Sequence, residues 1–551
     1  MLGSGAAALA AAVTAAEEGL STLVLERALL LGGTSAISGA AAWIPGTRQA
    51  IASGFDDTPQ KVRLYLKSLL GNHYNSELIE AFLTRGPEAL AFLEDHSELK
   101  YSVRDLSPDY YPELPGHTDN GRVLEIAEYD GRKLGDYFEL LRPPLNGLVL
   151  FGGLMLSRMD VHHFLNMKKS PRSLLHCGKL MARFLKDRIR YSRGTRLVIG
   201  AAMMARLLRS CLDKGVKFQI GAETQGLLVA EGRVQGVTVR LPDGRTVKLT
   251  ARHGVILGTG GISRRPNVLQ DRPGTREDHI SLAAPHADGS GIAMALKLGA
   301  RLGENMTSNF HWFPMSQMTR PDGSTEIFPH IVTDRAKPGI IAVNDKGARF
   351  VNEANSYHRF VTAMLAQQRE GTRHFHLIAD APALKAYGLG LARPSPGNNS
   401  ALVKNGYLIR ENTLAGLARR MDVDPRVLEA TIAAYNRDAV AGRDTQFHKG
   451  DSSYNKAMGD AHAPNPCLAP VKTAPFYAVR IHTGDAGSAR GLVTDACARV
   501  LNADDTPLAG LYAVGNDMNS LWAGEYPGPG ITLGPGLVFG YVAAKTIAGA
   551  R

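Results

Sequence analysis

Cysteine is scarce in this chain and follows no pattern. Cys177, Cys211, Cys467 and Cys497 are the only four in 551 residues, and no two form a C-x-x-C pair. That argues against zinc ribbons, iron–sulfur clusters and covalent haem, and predicts reduced thiols in a cytoplasmic protein. Long apolar runs are missing as well: the stretch from Ala6 to Val13 is alanine-rich and far too short to span a bilayer. No basic region precedes it, so a secretory signal is not expected. There are no internal repeats, low-complexity segments or long linkers. The whole sequence, 44% hydrophobic and 21% charged, has the composition expected of a soluble globular chain with room for two or three domains.

Negative charge is also in short supply, with 52 acidic against 63 basic residues and a net charge of +11. Most of that excess sits in one segment: Arg158 to Arg196 holds eleven lysines and arginines against two aspartates. Within it Leu174, Met181, Phe184, Leu185 and Ile189 recur at roughly helical spacing, with Lys179, Arg183, Lys186 and Arg190 between them. Two readings fit. One is an ordinary surface helix packed on its own domain; the other is a basic amphipathic helix lying on an anionic membrane surface. Nucleic acid is not an expected partner, because the charges are not interleaved with exposed aromatic platforms.

The opening stretch, "GSGAAALAAAVTAAEEGLSTLVLER", sets Gly3, Gly5 and Ala8 in a G-x-G-x-x-[GA] turn. An alanine-rich helix follows, then a strand from Thr22 to Leu25 that ends on Glu26, the spacing of a dinucleotide-binding unit. Amides at the helix N-terminus suit a pyrophosphate, and Glu26 suits a ribose. Only Met1 and Leu2 precede Gly3, where this fold calls for an apolar strand, so about five further Val/Ile-rich residues are expected upstream. "GGTSAISGAAAWIPG", Gly32 to Gly46, adds small donors that suit a longer dinucleotide, FAD rather than NAD. Two later strands, in "GVILGTGG" and "GLYAVGND", also run into glycine turns.

This order of motifs resembles the FAD-dependent superfamily of fumarate reductase, succinate dehydrogenase and 3-ketosteroid dehydrogenase, over almost the whole chain. The resemblance implies an α/β fold. A Rossmann-like FAD-binding domain would occupy 1–303 and 485–551, with its first strand clipped and a basic helical insert at about 155–197. An α+β capping domain at 304–484 would close over the flavin and keep the hydride-transfer slot dry. FAD contacts are implied at Gly3, Ser4, Gly5, Ala6, Ala7, Glu26 and Arg27, and at Gly33, Thr34, Ser35, Ser38 and Gly39. Further contacts are implied at Thr259, Gly260, Asp288, Asn516, Thr532 and Leu533.

Fumarate reductases carry an arginine proton donor at the end of "RFVNEITTR" and another arginine in the C-terminal loop. Here the motif is "RFVNEANSY", Arg349 to Tyr357, and no arginine lies between Gly510 and Ala550. Two carboxylates in a closed slot without such partners would be costly to desolvate, so a dicarboxylate substrate is not expected. Three stretches instead resemble 3-ketosteroid Δ1-dehydrogenases: "RFVNEANSY", "YPGPG" at Tyr526 to Gly530, and "SPDYYPELPGHTDNGR" at Ser107 to Arg122. The resemblance puts the family's catalytic tyrosines at Tyr357, Tyr526 and Tyr110, with Tyr111 adjacent to the last. It implies that Tyr526 and the Gly530 N–H donate to the ketone oxygen. Tyr357 would take the C2 proton, its phenolate favoured by a hydrogen bond from Tyr110, and the C1 hydride would pass to flavin.

The wording "GNDMNSLWAGEYPG" and the basic insert depart from the usual ketosteroid enzymes. Three functions therefore stay open. One is a dehydrogenase of 3-ketosteroids or similar neutral cyclic ketones, with a place in steroid degradation. The others are an alkene reductase running the slot in reverse, and a non-catalytic scaffold or membrane-surface protein. For an enzyme, electrons are expected to leave to an external acceptor such as a quinone, since no second nucleotide fingerprint, haem motif or cysteine cluster is present.

Overall fold

In the computed structural model, which describes all residues except 146, 148, 168–169, 265–278, 396, 462–463 and 551, the first helix is Ala6–Glu17. Leu9 to Val13 are completely buried. That is why the helix is alanine-rich: small side chains let the helices Leu533–Gly549 and Ile199–Asp213 pack closely against it.

Beside this helix lies a mainly parallel sheet. Leu23–Glu26 pairs in parallel with Lys217–Ile220. Val255–Leu257 pairs in parallel with Pro507–Ala513, whose other edge carries Arg499–Leu501 antiparallel. Leu2 joins the two halves, bridging in parallel to Leu25 on one side and Leu257 on the other. The Leu2 N–H donates to the Ile256 oxygen at 2.9 Å, and the Gly3 N–H to the Leu25 oxygen at 2.8 Å. The position that calls for an apolar strand is thus held by the backbone of Met1 to Gly3, with Leu2 buried between its neighbours. Glu26 is the last residue of its strand, at the edge from which the glycine turn departs.

A second sheet builds the cap. Its order is Thr325–Pro329, Phe310–Thr319, Phe476–Ser488, Phe375–Ala379, Ile340–Asn344. The long strand Phe476–Ser488 runs through residue 484 and pairs in parallel with Ile280–Ser281, so the cap and the first domain share a strand. Helix Tyr357–Arg369 packs on Phe310–Thr319.

After a short hairpin, Val149–Leu150 with Leu154–Met155, the basic insert folds as two helices, Arg158–Leu165 and Pro171–Asp187. Two of its lysines, at 168 and 169, lie outside the described residues. Ser170 caps the second helix by accepting the Ser173 N–H at 3.4 Å, and Pro171 takes the first helical position, where no donor is needed. The single apolar face read from the sequence proves to be two: Phe184 turns inward, while Leu174, Leu185 and Ile189 face solvent. Among the described residues no helix is long and apolar enough to cross a membrane.

Candidate active site

The turn out of Leu2 requires glycine. Gly3 has φ +94°, and a Cβ there would lie 2.2 Å from the Gly258 carbonyl oxygen. The Gly258–Gly261 turn is in turn gathered by Asp517, a buried carboxylate that accepts from Thr259 Oγ1 at 2.8 Å and the Gly261 N–H at 2.9 Å. Gly260 lies within it. Glu26 accepts the Ser4 N–H at 3.0 Å and the Ala28 N–H at 2.8 Å, while Ser35 Oγ accepts the Ala6 N–H at 3.1 Å. Gly5, Ala6 and Ala7 open the first helix, with Gly33 close to Gly5 and Gly515 close to Ala7. Thr34 Oγ1 accepts the Ala284 N–H at 2.8 Å, Ser38 Oγ donates to the Ser35 oxygen at 2.7 Å, and Gly39 borders open space. Arg27 is held by Asp288 at 2.7 Å and Glu223 at 2.9 Å.

Asn516 and Thr532 line one cleft with His311, Ser488, Trp522 and Ile531, and Leu533 begins the last helix. His311 is buried, and its Nδ1 has no partner among the described residues. Bare backbone around a helix N-terminus, continuing into a cleft with an unpartnered polar atom, fits a dinucleotide cofactor.

A second set of contacts fixes the tyrosine loops. The Tyr110 N–H and the Tyr65 hydroxyl both donate to the Pro527 oxygen, at 2.9 and 2.7 Å, tying the 107–122 loop to "YPGPG". Asp109 accepts from Trp43 Nε1 at 3.1 Å and from Arg122 Nη1 at 2.5 Å, and Arg122 also grips Asp57 at 2.7 Å. Trp522 meets Trp43 and Phe82 edge-on and donates its Nε1–H to the Ile531 oxygen at 2.8 Å. Gly530 has φ +93°, and a Cβ there would sit 2.3 Å from the Ala41 oxygen. Its carbonyl accepts from Trp43 at 3.2 Å and Gly534 at 2.9 Å, while its N–H has no protein acceptor among the described residues.

These contacts bring the three tyrosines together. Ring centroids are 5.3 Å apart for Tyr110 and Tyr357, 5.1 Å for Tyr357 and Tyr526, and 5.5 Å for Tyr110 and Tyr526. Tyr357 is the first residue of its helix, and Phe313 stacks on it at 4.0 Å. Tyr111 turns away, its hydroxyl donating to Glu525 at 2.8 Å. Tyr454, which sequence reasoning missed, packs 5.0 Å from Tyr110. His311 and His358 flank Tyr526 at 5.5 and 5.6 Å.

Burial governs the electrostatics. It pushes Tyr110 and Tyr357 well above 10, and Tyr526 and Tyr454 up to about 12. Tyr357 is raised further by its neighbours Tyr110 and Tyr526, whose own hydroxyls it lowers. Arg335, buried on the carbonyls of His330 at 2.7 Å and Glu353 at 2.8 Å, lowers Tyr454 by its charge. Burial drops His311 to about 4 and His358 to about 3, so both imidazoles are neutral near pH 7. Among the described residues no His, Cys, Asp and Glu group could hold a metal.

The FAD binding domain family matches residues 1–533. The chain is 37% identical to the 4-oxocyclohex-2-ene-1-carboxylate 5-dehydrogenase of Sinomonas cyclohexanicum, over 100% of this chain and 93% of that one. It is 35% identical to a 3-oxosteroid 1-dehydrogenase of Mycolicibacterium smegmatis, over 100% of this chain and 96% of the other. Among solved structures, the 3-ketosteroid delta1-dehydrogenase from Sterolibacterium denitrificans, in complex with 1,4-androstadiene-3,17-dione, is similar with a TM-score of 0.92 at 34% identity. That likeness covers 100% of this chain and 99% of that one, FAD-binding domain and cap alike. The glycine turns, the capped slot and these likenesses agree: the chain belongs to the FAD-binding flavoprotein family that includes the 3-ketosteroid Δ1-dehydrogenases, and is an FAD-dependent oxidoreductase acting on CH–CH groups.

Proposed function

We propose that the protein introduces a C1–C2 double bond into a 3-ketosteroid. The observation that carries this reading is the convergence of Tyr110, Tyr357 and Tyr526, from three distant stretches, in one buried cluster. A proton beside a ketone becomes acidic only when the carbonyl oxygen is stabilised as an oxyanion. Tyr526 and the Gly530 N–H are the donors for that oxygen, and the side-chain-poor loop lets backbone approach it. Tyr357 takes the C2 proton. Burial opposes the phenolate this needs, and a hydrogen bond from Tyr110, whose ring lies 5.3 Å from that of Tyr357, favours it in this proposal. When bound, FAD supplies the acceptor for the hydride that leaves C1.

The residues that would hold it are Gly3 to Ala7 and Glu26, the Gly33 to Gly39 turn, Thr259, Gly260, Asn516, Thr532 and Leu533. Arg27 and Asp288 would close the rim as an ion pair. Electrons leave to an external acceptor, for which we propose a quinone, and the proposed setting is the cytoplasm at the inner face of a membrane. The buried free thiols of Cys177, Cys211 and Cys467 support that compartment.

A smaller cyclic ketone is the second reading, favoured by the 37% identity with the cyclohexene-carboxylate dehydrogenase. It uses the same enolisation, but its carboxylate needs a cation that neutral His311 and His358 do not supply. The test is turnover of androst-4-ene-3,17-dione and of 4-oxocyclohex-2-ene-1-carboxylate by FAD-loaded protein with an artificial electron acceptor. A 1,4-diene from the steroid supports the proposal. Turnover of the monocyclic acid alone selects the second reading, and turnover of neither overturns the ketone chemistry.

A further inference from the structure

The three tyrosines of the proposed chemistry stand on two domains. Tyr357 opens the cap helix Tyr357–Arg369, whereas Tyr110 and Tyr526 lie on loops of the first domain that meet at Pro527. Their alignment therefore depends on how the cap docks, and a displacement of about 1 Å can cost roughly a hundredfold in rate. A second cluster spans the same boundary. Arg359 places its guanidinium over the Tyr111 ring, 4.9 Å from the centroid. Its Nη1 also meets Glu113 Oε1 at 2.8 Å and the Tyr110 carbonyl oxygen at 3.4 Å. Tyr111 in turn donates its hydroxyl to Glu525 at 2.8 Å. Each of these residues is a near neighbour in sequence of one clustered tyrosine: Arg359 of Tyr357, Tyr111 of Tyr110 and Glu525 of Tyr526.

The stability of the fold does not call for this set. Arg359 and Glu113 are 29 and 51% exposed, and ion pairs so open to water contribute little. Their geometry is specific all the same. A planar guanidinium stacks on a ring while its edge serves a carboxylate and a carbonyl, which a lysine ammonium cannot reproduce. Burial and the adjacent Glu525 carboxylate hold Tyr111 well above 10, so its hydroxyl remains a donor across the working pH range. One cation thus joins the cap helix to the Tyr110 loop, and one phenol carries that contact on to the Tyr526 loop. We propose that Arg359 is a positioning residue, clasping the cap helix to both loops and so setting the proposed base against the oxyanion donors. The positioning role rests on the ketone reading above, whereas the clasp itself does not.

The test compares FAD-loaded wild type, Arg359→Leu and Arg359→Lys, with androst-4-ene-3,17-dione and an artificial electron acceptor. Arg359→Leu should lower kcat by about tenfold to a hundredfold. Ketone affinity, read from the flavin difference spectrum, should hold, because Tyr526 and Gly530 keep the proposed carbonyl contact. Arg359→Lys retains the charge without the stacked fork, so it should restore only part of the rate. Melting temperature and flavin content should stay unchanged in both variants. Amide hydrogen exchange reads the clasp without any substrate: the 107–122 loop and the first turn of helix Tyr357–Arg369 should exchange faster in Arg359→Leu. Unchanged exchange there overturns the clasp, whatever the substrate. Wild type that turns over no ketone sinks the ketone reading, and with it the positioning role, while the exchange result still decides the clasp. With active wild type, an undiminished kcat in Arg359→Leu overturns the positioning role. A loss of ketone affinity with kcat intact also overturns it and assigns Arg359 to substrate binding. Lowered flavin content with full kcat per bound flavin marks a purely structural contact, which overturns it as well.

Discussion

Tyr526 and Tyr357 carry the same functional group, and their surroundings divide its chemistry. Tyr526 sits among neutral imidazoles with its phenol pushed to about 12, so it remains a proton donor at working pH. Tyr526→Phe removes the proposed oxyanion donor, and turnover should fall by about a hundredfold or more with an unchanged flavin spectrum. As the proposed base, Tyr357 must lose its proton to act, and burial holds it well above 10. Because the protonated form dominates, the active fraction grows tenfold per pH unit. Log kcat/KM should therefore climb with a slope of about one between roughly pH 6 and 9. A plateau beginning in the neutral range would show that another group is the base. At this scale the sequence was partly legible. Tyr357 and Tyr526 stand in long motifs, but Tyr110 and Tyr111 are neighbours, and only the Glu525 contact of Tyr111 and the ring contacts of Tyr110 separate them. Tyr454 carries no local signal, because its place beside Tyr110 is set by contacts far apart along the chain.

The elements that hold these side chains depend on a few close approaches and one buried ion cluster. Gly3→Ala would drive a Cβ into the Gly258 carbonyl at a positive φ. The first turn should shift, and flavin absorbance per chain after gel filtration should drop markedly. Arg122 holds the 107–122 loop by neutralising Asp57 and Asp109 at once. Arg122→Met leaves two buried carboxylates unpaired, a loss of about 3–5 kcal/mol that a lowered melting temperature would register. An unchanged melting temperature would mean that the loop is held mainly by Tyr110 and Tyr65 on Pro527. The glycine turn, first helix and Glu26 strand end were readable from spacing because each is local. Asp517, which organises the second turn from more than two hundred residues away, was not.

Across the whole molecule, the shared strand Phe476–Ser488 connects the cap to the first domain, and His311 and Phe313 project from its neighbour Phe310–Thr319 toward the phenols. The glycine turns and the three tyrosines of the proposed chemistry thus meet where the two domains face each other. The basic excess read from composition is gathered on the insert, and only the structure separates its inward from its outward apolar face. The proposed function rests on the pairing of a carbonyl donor with a base at the adjacent carbon. The direct test is exchange of the C2 hydrogen of androst-4-ene-3,17-dione in deuterated water, followed by mass spectrometry. The account predicts exchange by the FAD-loaded wild type and none by Tyr357→Phe, which should still bind the ketone through Tyr526 and Gly530. Wild-type exchange by Tyr357→Phe would contradict it.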